Sequence, residues 1–417
     1  MTIRGSRPLF HGRGQFPLGV LRNETCRKVS IRSDPGASLS AVTGPTATPS
    51  QRALARRKTG YLLFLLTPSL MPAAWLLVRD TGLPGLMAWY PVFWIFAVIP
   101  LLDHAVGRDT ANPDEAAETP LMQNAVYYRI LTLLAVPIQI LLLVWSTGVF
   151  VEGDLGAWGR VGWLVSMGVV SGINAINIGH ELVHRHGRLE PWAGGVLLAL
   201  VTYAGFKIEH VRGHHANVST PLDASSARYG QSLYQFLPHA WKWNFLNAWA
   251  LEADRLRRRG LSALHWRNEL IWWYSLTLLI AAALTWAYGW LGLVFFLGQS
   301  FVAVTELEIV NYVEHYGLHR RQRDDGRYER TTHQHSWNSS HLVTNLFLFQ
   351  LQRHSDHHAH PARRYQVLRH FDDSPQLPCG YATMVLLALA PPLWRQVMDV
   401  RVRAYYQNEL EHLEVRT

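Results

Sequence analysis

The sequence predicts an all-α integral membrane protein with about six transmembrane helices. Three observations predict it. Apolar residues make up 49% of the 417 residues and gather into long uncharged runs. The arginines cluster beside those runs. Histidine-rich motifs recur where the runs end.

A span needs about 20 mostly apolar residues. Six stretches qualify, at roughly 60–79, 86–103, 129–150, 160–181, 270–288 and 290–313. Pro68, Pro91 and Pro100 are expected to kink the first two. The run 192–206 is too short to cross and is expected to enter partway or lie along the interface. Residues 1–57 are rich in Arg, Ser, Pro and Gly and read as a disordered basic extension. Residues 58–400 read as the membrane domain and 401–417 as a polar tail.

Lysine and arginine placement sets the orientation. "RALARRK" precedes the first span and puts the N-terminus in the cytoplasm. Six spans return the C-terminus to the same side. The expected outer connections, "DTGLPG", "VEGDLGAWG" and a tight turn at Tyr288-Gly289, are short, whereas "DRLRRRG" and "HRRQRDDGR" fall inside. Every histidine-rich segment then lies at an inner helix end or in an inner loop. The formal charge of +9 fits membrane topology rather than a nucleic-acid partner. Two cysteines, Cys26 and Cys379, leave no CxxC for zinc, iron–sulfur or thiolate-bound iron, so any such electron carrier must be another chain.

Four groups among the 21 histidines carry chemistry. His180 and His184 in "HELVH" are spaced i, i+4 and share a helix face, which Asn174, Asn177 and Glu181 extend as a polar stripe in an apolar helix. "EHVRGHH" supplies His210, His214 and His215. His315 in "NYVEHYGL" ends the sixth span, with Asn311 and Glu308 on the same face. "LQRHSDHHAHP" adds His354, His357 and His358, with His360 beyond them. His186 falls outside the i, i+4 pair. HELVH alone also reads as a zinc-protease helix, but that leaves the other groups unexplained. A metal transporter would want such ligands in mid-membrane rather than at inner ends.

Nine imidazoles exceed what one four-coordinate ion can use, so the number points to two metal ions. Imidazole suits iron, zinc and copper alike, and spacing does not choose among them. Glu181, Glu209, Asp223, Glu314 and Asp356 are candidates to accept the second ring N–H of the ligands.

The motifs HELVHR, EHVRGHHANVSTPLD, NYVEHYGL and LQRHSDHHAHPARRYQVLR, with HQHSWNSSHLVTNLF, resemble the integral-membrane alkane 1-monooxygenases over about residues 60–400. The resemblance implies iron ligands at His180, His184, His210, His214, His215, His315, His354, His357 and His358, and a cytoplasmic site of two non-haem irons within a six-span fold. It implies hydroxylation of linear alkanes to 1-alkanols with O2. Electrons would come from a separate rubredoxin, itself reduced by a flavoprotein rubredoxin reductase using NAD(P)H. No protein nucleophile is needed. The extension 1–57 departs from the family pattern. The alternative from the same chemistry is a membrane di-iron fatty acyl desaturase or hydroxylase. Arg353, Arg363, Arg364 and Arg369 are expected on the cytoplasmic rim, where they would steer an acidic donor.

Overall fold

The computed structural model describes residues 49–407. Among these residues there is no β-strand; only isolated bridges occur, such as Arg108 with His341. Four helices are long and apolar enough to cross a membrane: α1 (Arg57–Thr81), α3 (Val126–Glu152), α4 (Gly156–Val183) and α8 (Glu269–His315). A shorter apolar helix, α2 (Tyr90–Val106), follows α1. These four helices and the short α2 are the apolar helices of spanning character among the described residues. The expected spans at 270–288 and 290–313 form one helical run broken at Gly289, and the expected second span is the short α2.

The break at Gly289 has a simple cause. Its φ of 68° and ψ of −167° lie where side chains with a Cβ are strained, so the chain turns there and the helix resumes. Trp286 and Trp290 flank the turn and are 90% and 70% exposed. Exposed tryptophans at a helix end suit the headgroup level of a bilayer. The faces of α3 and α8 also expose Leu141, Leu278 and Leu279, while their opposite faces pack inward.

The helix leading into α1 begins at Pro49, so residues 49–57 of the expected extension are helical. The rest of the expected extension, 1–48, lies outside the described residues. Arg57 is buried and binds Asp109 at 2.5 Å and the Ala111 carbonyl at 2.6 Å. At the other end, the last described helix, Pro391–Tyr405, buries Val402; residues 408–417 of the expected polar tail lie outside the described residues.

α4 packs along α8, and both deliver their C-terminal ends to the same place. The short apolar run forms α5 (Leu189–Ala199), which packs against the end of α4. A helical segment at 206–217 follows, then α7 (Leu233–Arg257). Taking 206–217 as α6, the chain closes with α9 (Leu342–Phe347), α10 (His354–Ala359), α11 (Tyr381–Ala388) and α12 (Pro391–Tyr405).

α4 and α6 are not regular throughout. Each has a wide turn with i→i+5 bonding, at Gly172–Asn177 and at His210–His214. Such bulges rotate the residues beyond them relative to an ordinary helix and occur often at functional sites.

Candidate metal centre

All nine histidines that the motifs single out come together, in two groups. His180, His184, His210, His215 and His357 form one; His214, His315, His354 and His358 form the other. Within each group every residue has a ring nitrogen lying within 4.8 Å of one on every other member. The Nε2 atoms of His184 and His210 are 2.9 Å apart, those of His210 and His215 3.0 Å, and those of His215 and His357 3.1 Å. In the second group His214 and His358 meet at 3.2 Å, and His358 and His354 at 2.9 Å, again through Nε2. The two groups adjoin, because the His215 ring stacks on His358 with centroids 4.4 Å apart.

Four parts of the chain build this cluster. The end of α4 carries His180, with His184 at its C-cap. The bulge of α6 turns His210 and His214 inward, and His215 follows in the next turn. The last residue of α8 is His315. α10, a helix of six residues, carries the remaining three.

The donor chemistry fits cations. Two ligands at about 2.1 Å from one ion, at a right angle, stand about 3 Å apart, which is the spacing of these Nε2 atoms. His180 Nε2 and His315 Nε2 are buried without a hydrogen-bond partner among the described residues. Such groups are costly unless something binds them. Burial, then the neighbouring imidazoles, pushes His184, His210, His215, His354, His357 and His358 well below the ordinary histidine range. Neutral imidazole is the form that binds a metal.

The expected carboxylate partners divide. Asp223 behaves as expected, with Oδ2 2.9 Å from His214 Nδ1 and accepting from Ser226 Oγ at 2.5 Å. Burial alone would raise its pKa, but His214 and Ser226 hold it below the ordinary carboxylate range. Glu314 reaches His354 instead at Nε2, 3.1 Å away, and accepts from Tyr381 at 2.7 Å. Asp356 does not serve a histidine: Arg363 Nη1 lies 2.8 Å from both of its oxygens and the Arg369 backbone N–H donates at 2.9 Å. Glu181 is likewise captured by Arg185, at 3.3 Å. No hydrogen bond joins Glu209 to a histidine among the described residues; its Oε1 instead packs close to Gly213.

The polar stripe on α4 also divides. Asn174 donates to Gln139 of α3, which donates to Ser171, so it joins two helices. Asn177 Nδ2 has no such partner. On α8, Glu308 accepts from Tyr203, from Asn244 at 3.0 Å and from Asn311 at 3.1 Å. His186 and His360 are exposed and stand apart from both groups.

The expected basic rim needs correction. Arg353 is fully buried, with its guanidinium donating to the Leu368 carbonyl at 2.7 Å and the Asp109 carbonyl at 2.8 Å. Arg363 binds Asp356 and Glu115, Arg364 binds Glu190 at 2.7 and 2.9 Å, and Arg369 binds Glu115. These arginines fasten the segment after α10 to its neighbours.

Sequence reading missed the contributions of Ser226, Ser336 and Tyr381. Ser336 Oγ lies 3.4 Å from His315 Nδ1. Its signal was its place in the quoted "HQHSWNSSH" stretch; Tyr381 and Ser226 carried none.

Near the cluster lies an apolar cavity of about 60 Å³, partly open to the outside. α2 contributes Ile95 and Ile99, α8 Leu307, and α9 Phe347. None of the nine histidines lines it, and two of its lining residues stand near them. Asn177 lines it three residues before His180, and Tyr381 lines it while donating to Glu314.

Residues 155–386 match the family described as Fatty acid desaturase, a stretch that contains all nine histidines. The chain is 61% identical over 357 residues to alkane 1-monooxygenase 1 of Pseudomonas aeruginosa, covering 85% of this chain and 94% of the relative. It is 59% identical over 354 residues to alkane 1-monooxygenase 2 of the same species, with the same coverage. Against alkane 1-monooxygenase 2 of Alcanivorax borkumensis the identity is 54% over 362 residues, covering 86% of this chain and 94% of the relative. With its long apolar helices and paired histidine groups, the chain is a multi-pass membrane enzyme, and it belongs to the alkane 1-monooxygenase family.

Proposed function

We propose that the chain hydroxylates the terminal methyl of linear alkanes to 1-alkanols at a centre of two non-haem irons. It would consume O2 and draw electrons from a separate rubredoxin served by its reductase. The observation that supports this most is the convergence of nine imidazoles into a group of five beside a group of four. We assign His180, His184, His210, His215 and His357 to one iron and His214, His315, His354 and His358 to the other.

The irons, when bound, would supply activation of O2 and oxidation of the C–H bond. The chain's residues supply the rest. Asp223, against Nδ1 of His214, would fix its tautomer and leave Nε2 free to hold an ion. The cavity walls exclude water and hold the chain by burial alone, at about 0.8 kcal/mol per CH2. A chain threaded along this cavity would present only its end to the cluster, which makes terminal selectivity steric.

The cytoplasmic side of the inner membrane is the expected side for the cluster, with α2 crossing and α8 crossing twice about Gly289. A reporter fused after Thr417 should then report the cytoplasm, and one in the 151–159 loop the outside. Product analysis tests the reaction. Incubation with n-alkane, O2 and a rubredoxin system should give the primary alcohol. An alkene from a saturated acyl substrate, with no alcohol from alkanes, would replace this reading with the desaturase alternative.

A further inference from the structure

The cavity beside the metal centre is lined by apolar groups except at a few points, and two of these carry unsatisfied polar atoms. Asn177 is 5% exposed, and its Nδ2 has no hydrogen-bond partner among the described residues. Glu306 Oε2 is buried and equally without one. Both side chains line the cavity, from α4 and α8 respectively. Their neighbours on the same helices are satisfied: Asn174 by Gln139, and Glu308 by Tyr203, Asn244 and Asn311. The two unsatisfied atoms are therefore local to the cavity wall.

The backbone makes room for them. A Cβ at Gly172 would collide with the Glu306 carboxylate, so glycine there lets the acid lie against α4. Gly172 and Asn177 are the two ends of a single wide turn. That turn thus carries both Asn177 and Gly172, the residue against which the Glu306 carboxylate packs, on the wall of one cavity.

An n-alkane has no group that can use either atom. A primary alcohol has one acceptor oxygen and one donor hydrogen. We propose that Asn177 and Glu306 form a hydroxyl subsite for linear primary alcohols, the product class, within the substrate cavity. Asn177 Nδ2–H donates to the alcohol oxygen, and the alcohol O–H donates to the Glu306 carboxyl group. The inference rests on the hydroxylase reading above. Its consequence is that the product is held more tightly than the substrate, so its departure is the step these residues govern.

Binding to the iron-loaded protein in lipid nanodiscs tests this without turnover. The thermal midpoint is titrated with n-dodecane or 1-dodecanol, each counted as its mole fraction in the lipid. For the wild type the alcohol should half-saturate at about tenfold lower mole fraction, the effect of roughly one recovered hydrogen bond. Glu306→Leu and Asn177→Leu should each remove most of that preference, read as the ratio of the alcohol to the n-dodecane midpoint within the same variant, with iron content unchanged. Glu306→Gln, which keeps an acceptor, should retain it. Asn177→Asp, of the same size but lacking the donor, should lose it and serves if leucine at 177 prevents folding. Equal half-saturation of alkane and alcohol in the wild type, or a preference that survives both leucine variants, overturns the subsite. Absence of any n-dodecane response in the wild type would instead sink the substrate cavity itself.

Discussion

His214 stands between Asp223 and His358, with its Nδ1 2.9 Å from the Asp223 carboxylate and its Nε2 3.2 Å from the His358 ring. Its orientation is thus set from behind by one acid. Asp223→Asn should weaken the group of four by about 10- to 100-fold in metal affinity. Among the described residues no hydrogen bond joins Asp223 to the group of five, which should be spared. Dialysis against a graded chelator, followed by metal analysis, should show one ion leaving early and one retained. Simultaneous loss of both would contradict the separate assignment.

Acid should destabilise the metal-free protein through its histidines. His184, His210, His215, His354, His357 and His358 are held below the ordinary value of 6.5 in the folded chain. The unfolded chain therefore binds more protons below about pH 6.5, and stability falls as pH drops through that value. Their contribution is fully present above it. The unfolding midpoint of chelator-stripped protein should be clearly lower at pH 5.5 than at pH 7.5. A flat profile would mean these rings are solvated.

Arg353 should prove structural rather than a docking residue. Its buried guanidinium ties α10 to the carbonyls of Asp109, Ala111 and Leu368. Arg353→Met leaves those carbonyls unsatisfied and should cost about 3 kcal/mol of stability. The salt dependence of electron delivery should stay unchanged in whatever protein folds. A folded, stable variant with altered salt response would restore Arg353 to the rim.

Gly289 should tolerate no β-branched residue. Its left-handed φ makes Gly289→Val cost roughly 1–2 kcal/mol through backbone strain. The expected readout is a lower thermal midpoint with unchanged iron content per folded chain. An unchanged midpoint would show that the break is not enforced by this residue.

The histidine motifs were legible because i, i+4 spacing places side chains on one helix face whatever surrounds them. Their partition was not. His214 and His215 are neighbours in sequence yet belong to different groups, as do His357 and His358. Successive side chains on a helix point about 100° apart, so such pairs reach two centres only when the helices are already docked. The carboxylates were ambiguous for a related reason. Asp356 and Glu181 each have an arginine nearby, Arg363 and Arg185, and the stronger charge-assisted bond takes them. Gly289 was readable as a turn; the start of α2 at Tyr90 rather than near 86 was not, because the apolar run continues across the turn at Ala88 and Trp89.

Metal content of the purified, folded protein is the most direct measurement. Two irons per chain are expected, falling to about one in His184→Ala or His315→Ala, which each remove a ligand from a single group. One zinc per chain with no iron, or two irons retained undiminished in both variants, would contradict a five-histidine and a four-histidine site.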